Sequence, residues 1–304
     1  MNHNSYDFRA LIESILISPV RRILIFLVLS FSILASIAST GLFFIFPVLG
    51  INFPAYPDLI YPVTTIIVSL LIESLRKGSK WQLFGFNFDK IALKHIIYGL
   101  VITCSGFLVI ILTALAAGAT IKVECNIVPA QLFSILYLQL IVCFFEESFF
   151  RGIILQSLRD KIGFLSAAVI SSGLFAAAHL ANPYLSFMGI INIFFAGILF
   201  AVMYFHTQSL WLPVSFHFFW NTGVTELLGM PVSGFQMQSQ LIEINFNQSN
   251  FVTNILFGNY FGIEEGLLCT FILLFSIYIT LKFTCPSPYI SSGIFKRNYF
   301  ESSI

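Results

Sequence analysis

Long apolar runs constrain this chain more than any other feature. Eight stretches, 23–46, 59–75, 96–119, 130–150, 164–180, 187–205, 211–228 and 265–283, are long enough, or nearly so, to cross a hydrocarbon core as helices. Such a core is about 30 Å thick. Composition agrees: of 304 residues 58% are hydrophobic and 10% charged, and mean hydropathy is +0.91, whereas about a quarter of a soluble domain is charged. The expected fold is all-α, a polytopic transmembrane bundle of about eight spans.

Lysine and arginine collect in the cytoplasmic loops of membrane proteins. With eight spans and both termini in the cytoplasm, that side holds Arg9, Arg21, Arg22, Arg76, Lys77, Lys80, Lys90, Lys94, Arg151, Arg159, Lys161, Lys282, Lys296 and Arg297, leaving only Lys122 outside. An odd number of spans would scatter them. The first run follows about twenty residues that include Asp7 and Glu13 and is too long for a signal-peptide core, so it reads as a retained span. No basic tract or aromatic–basic interleaving points to nucleic acid. Cys104, Cys125, Cys143, Cys269 and Cys285 form no CxxC pair and read as packing residues.

The organisation expected is a three-span region with a basic cytoplasmic linker (1–129), a core (130–228), and a final region (229–304) made of an extracytoplasmic loop, a last span and a cytoplasmic tail. The linker at 74–95 suits an amphipathic surface segment. The 229–263 stretch has no lysine or arginine and is rich in Gln, Asn and Ser, which suits a loop or cap outside the membrane.

Within 130–228 the stretch FFEESFFRG (144–152) places Glu146, Glu147 and Arg151 among phenylalanines and aliphatics. Ionisable groups in a span cost at least a few kcal/mol each, so they normally face the bundle interior and serve a function. Glu147 and Arg151 have ion-pair spacing on a helix, while Glu146 points about 100° away. One glutamate can be neutralised while the other remains available for chemistry. Phe175 and His179 are four apart in GLFAAAHLANP (173–183), as are His217 and Asn221 in SFHFFWN (215–221). A carboxylate and an imidazole can polarise a water for attack, and an imidazole with an amide can stabilise an oxyanion.

The ordered triple EExxxR, FxxxH and HxxxN, with the segment 196–221, resembles the CAAX-protease and bacteriocin-processing family (CPBP, or Abi) of intramembrane endopeptidases, over about residues 130–225. The resemblance implies that Glu146 activates water with help from His179, that His217 and Asn221 face the oxygen of the tetrahedral intermediate, and that Glu147 and Arg151 support them. It implies no cofactor in a glutamate-type mechanism; the alternative is a zinc site formed by Glu146, His179 and His217. The implied partners are the lipid bilayer and a membrane-associated peptide or protein substrate, with prenylated CAAX peptides as the eukaryotic class and bacteriocin maturation or self-immunity among bacterial roles. The expected location is a bacterial inner membrane.

Readings from other classes are a proton or cation transporter using the same ionisable groups, and a silent immunity protein. Against the first, the chain has no paired Gly- or Pro-broken spans in two matching halves. The sequence reading gives Phe175 a packing role, has His95, His206, Glu73 and Glu226 reaching the interface or water, and sets Glu264 and Glu265 at the start of the last span, where the helix dipole favours acid.

Overall fold

A computed structural model of the chain describes residues 18–40, 67–68, 85–86, 90–126, 129–236, 240–246 and 251–284. The architecture is mostly helical. Its elements are α1 (Pro19–Thr40), α2 (Lys90–Ala116), β1 (Ala119–Asn126), α3 (Pro129–Glu147), a π-helical segment Ser148–Leu155, α4 (Gln156–Ile162), α5 (Phe164–Ala178), α6 (Phe187–Thr207), α7 (Trp211–Thr222), a second π segment Gly223–Leu227, β2 (Gln240–Phe246), α8 (Phe251–Phe257), a 3-10 turn Ile263–Glu265 and α9 (Leu267–Phe283). Described helices overlap seven of the eight apolar runs; residues 41–46 of the first run and nearly all of 59–75 lie outside the described residues, as do most of the 74–95 linker and the two tails.

Among the described residues α2 and α6 are long and apolar enough to cross a membrane; α5 and α9 are shorter apolar helices. The outer surface of the bundle is apolar along whole helices. α2 exposes Leu93, Ile97, Val101, Leu108 and Leu112, and α9 exposes Phe271, Leu274, Tyr278 and Leu281. Water is a poor solvent for apolar faces of that length, whereas lipid accommodates them.

One expectation is corrected: the fold is not purely α. β1 and β2 pair antiparallel, with Ala119 opposite Phe246, Ile121 opposite Ile244 and Lys122 opposite Glu243. The reason is visible in β2, where Ile242, Ile244 and Phe246 alternate with polar neighbours and pack on the core, the two-residue period of a half-buried strand. Part of the supposed 229–263 loop is therefore ordered sheet and helix.

Small residues let the helices approach closely. A Cβ on Gly99 of α2 would lie 2.5 Å from Ser215 Oγ and 2.8 Å from the Phe216 backbone nitrogen of α7, and one on Gly197 of α6 would lie 2.7 Å from Ser172 Cβ of α5. Ser215 Oγ also donates to Ile96 O (2.7 Å), so α2 and α7 are joined by a hydrogen bond as well as by contact.

Successive helices reverse direction, which gives the bundle two chemically distinct ends. The sheet, the 179–186 connection and the loop around Ser233 share one end: Asn182 Nδ2 donates to Ser233 O (3.2 Å) and Gly234 N to Phe261 O (3.1 Å). Gly85, Arg159, Gln208 and Thr284 share the other: Leu210 N donates to Gly85 O (2.9 Å), Arg159 Nη1 to Gln208 Oε1 (3.5 Å) and His206 Nε2 to Thr284 O (3.2 Å).

Two polar residues sit deeper than their sequence context indicates. His95 in α2 is 1% exposed and Glu226 in the second π segment 8%, so neither reaches the surface expected of it.

Candidate functional site

The site begins where α3 passes into the π segment. A π turn holds more residues than an α turn and often marks a functional site; here it carries Arg151, which is fully buried. Its Nη1 donates to Glu147 Oε1 at 3.1 Å and its Nη2 to Gly197 O at 3.2 Å. The guanidinium lies 4.5 Å from the Phe175 ring centroid and 4.8 Å from that of Phe200. An arginine taken out of water needs such a set of compensations: an anion, a carbonyl and aromatic faces.

Glu147 Oε1 also accepts from His217 Nδ1 at 3.0 Å. Glu147 therefore joins α7 to the π segment, and by occupying Nδ1 it sets the ring so that Nε2 faces the neighbouring carboxylate. The His217 ring stacks on Phe200, with centroids 5.0 Å apart and planes at 23°, so rotation is blocked from the side as well.

Glu146 is placed differently. His217 Nε2 is 3.7 Å from Glu146 Oε2, outside direct hydrogen-bonding range. The Glu146 side chain retains 18% exposure while Glu147 and Arg151 retain none. Glu146 lines a cavity of about 610 Å³, and buried Oε2 accepts no hydrogen bond among the described residues. A separation near 3.7 Å between two polar groups beside a cavity is one that a shared water can bridge.

His179 and Asn221 line the same cavity. His179 is not inside the α5 helix but its C-cap residue, with φ −93° and ψ 1°. Its Nδ1 donates to Phe175 O at 2.8 Å, which leaves Nε2 as the remaining nitrogen. Asn221 Nδ2 donates to Gln139 Oε1 at 3.3 Å. All six residues singled out in the sequence thus belong to one region: Glu146, His179, His217 and Asn221 on the cavity, Glu147 and Arg151 behind it. Phe175 packs against Arg151 and the His179 ring.

Gln139 and Glu264 are among the cavity residues to which the sequence pattern assigned no role at the site. Gln139 precedes Glu146 by two helical turns, so a helical wheel of α3 would have found it. Glu264 accepts from Trp220 Nε1 (3.2 Å), Ser233 N (2.7 Å) and Ser233 Oγ (2.8 Å). These partners are 44 and 31 residues away in sequence, and no local pattern announces them.

The zinc alternative can be tested on the donor set. Among the described residues no three His, Cys, Asp or Glu side chains are arranged to hold a metal ion. Glu146, His179 and His217 share the cavity without lying together as such a group.

Residues 128–223 match the family model described as type II CAAX prenyl endopeptidase Rce1-like. Over that segment, about a third of the chain, the chain is similar to the CAAX-protease and bacteriocin-processing family. The match spans α3 to α7, the stretch that supplies all six motif residues. A relative from Bacillus subtilis (strain 168), named "Putative membrane peptidase YdiL", is 32% identical over 93 residues, covering 31% of this chain and 36% of the relative. The chain therefore spans about a third of the length of that curated relative. No solved structure matches this chain.

Proposed function

We propose that the chain is an intramembrane endopeptidase that hydrolyses a peptide bond by glutamate-activated water. The observation that supports this most is the split between the two glutamates: Glu147 is committed to Arg151 and His217, and Glu146 is left facing the cavity. Glu146 takes a proton from a water held on the cavity side while that water's oxygen adds to the scissile carbonyl. The proton then passes to the leaving amine. Asn221 Nδ2 has a second hydrogen beyond the one given to Gln139, and it serves the developing oxyanion together with His217 Nε2. Nε2 donates when the ring carries both protons; with Glu146 and Glu147 contributing two negative charges and Arg151 one positive, that form makes the cluster neutral. His179 assists at the cavity wall.

The eight-span arrangement completes the reading. The distribution of basic residues supports a cytoplasmic Arg159–Gln208 end, in a bacterial inner membrane with both termini on that side. The sheet end then faces outward, and the polar end of the cavity, with Asn182 and Ser233, is reached from there. The substrate is a membrane-associated peptide or protein.

Oxyanion donors act mainly in the transition state, and removing one costs about 10² to 10³ in turnover. His217→Ala and Asn221→Ala in detergent-purified protein are expected to lower kcat by that range with KM nearly unchanged. A rise in KM at unchanged kcat would assign both residues to substrate binding and remove them from the oxyanion role.

A further inference from the structure

Two glutamates at separate places line the cavity. Glu146 lies at its inner part and Glu264 at the sheet end, and no lysine or arginine is among the described residues that line it. Glu264 is unusual in its company. Trp220 Nε1, Ser233 N and Ser233 Oγ all donate to its carboxylate, each from a neutral group, and it has no ion pair among the described residues. The three donors fix both oxygens in place without supplying a counter-charge. Trp220 is itself held, stacked on Phe216 with centroids 6.0 Å apart and planes at 7°, and Asn182 ties Ser233 down from α5's side at 3.2 Å. The result is a rigidly placed, half-buried carboxylate in the wall of a peptide-sized cavity.

Such a group discriminates by charge. A cation entering the sheet end gains the attraction of Glu264; an anion there meets repulsion and finds no lysine or arginine among the described residues of the cavity wall. Taken on top of the protease reading, we propose that Glu264 is a specificity residue that receives a cationic group of the substrate, a Lys or Arg side chain or a free amino terminus, at the sheet end of the cavity. The bond to be cut lies deeper, at Glu146. The substrate class is then a peptide with a positive charge on its outward side and an apolar stretch at the scissile bond, where Phe145, Phe200 and Phe216 line the wall.

Binding tests this without requiring turnover. The probes are fluorescein-labelled ten-residue alanine–leucine peptides with blocked ends, each carrying one lysine at a different position, with a matching glutamate series. A third set has no lysine and a free amino terminus, which separates side-chain from terminal recognition. Anisotropy is read on the Glu146→Gln protein in detergent, so that no probe is consumed. At one or two neighbouring positions lysine peptides are expected to bind about ten-fold tighter than their glutamate counterparts. Glu264→Gln is expected to bring that ratio within about two-fold, and Glu264→Lys to invert it. Ser233→Ala separates charge from anchoring: it removes one donor and keeps the carboxylate, so the lysine preference persists. Equal binding of the two series, or a preference that survives Glu264→Gln, overturns the proposal, as does a Ser233→Ala protein that behaves like Glu264→Gln. If the charge preference is found but the parent protein cleaves no peptide of the set, the cation site stands and the protease reading falls.

Discussion

Glu146→Gln is expected to lower turnover by about 10² to 10⁴, the range that a positioned general base supplies, and to leave the protein as stable as its parent. The substitution keeps shape and removes only the ability to take a proton. Among the described residues its one approach to a charged partner is 3.7 Å, to His217, and it borders open cavity. Parallel melting curves and progress curves in the same detergent check both halves. A Glu146→Gln protein that turns over at the parental rate would remove the base from the mechanism.

The reverse is expected of Glu147→Gln. Arg151 is fully buried with Glu147 as its hydrogen-bonded anion, and His217 shares the same oxygen. Breaking a buried pair by removing one partner costs about 3 to 5 kcal/mol, because the remaining charge is left in a medium that solvates it poorly. Glu147→Gln should therefore melt well below the parent, and its turnover should fall as well, since the His217 ring loses the group that orients it. Replacing both partners, Glu147→Leu with Arg151→Leu, should recover much of the stability and none of the activity, because two apolar groups leave no stranded charge. If Glu147→Gln melts like the parent and Glu146→Gln is the unstable protein, the two roles are exchanged.

Much of this site could be read from the sequence because its logic is local. Glu147 and Arg151 are one helical turn apart, and the spacing alone predicted the pair observed at 3.1 Å. The 100° offset of Glu146 likewise anticipated that it would face elsewhere. The π segment changes the turn beyond Glu147, yet the pair survives because both partners sit at its first turn. His217 and Asn221 share a face of α7, which is enough to bring both to the cavity.

What escaped the sequence was set by distant contacts. The partner of β1 is β2, more than a hundred residues later. Ala119 also falls at the end of an apolar run that reads as helix, while the alternation in β2 is diluted by Gln and Asn around it. Glu264 has the same history: next to Glu265 and just before α9, it looks like a helix-dipole acid, and only the fold brings Trp220 and Ser233 to it. Glu265 does stay local, accepting from Asn259 N and Phe261 N. Glu226 was misplaced because the second π segment packs against β2, and His95 because α2 packs closely on α7.

The central claim is that this cavity hydrolyses peptide bonds through Glu146. The most direct measurement is mass spectrometry of a membrane-peptide library incubated with detergent-purified protein in water enriched in oxygen-18. The account predicts new carboxyl termini that carry one heavy oxygen with the parent protein, and none above background with Glu146→Gln. Intact peptides with the parent, or the same labelled products from Glu146→Gln, would contradict it.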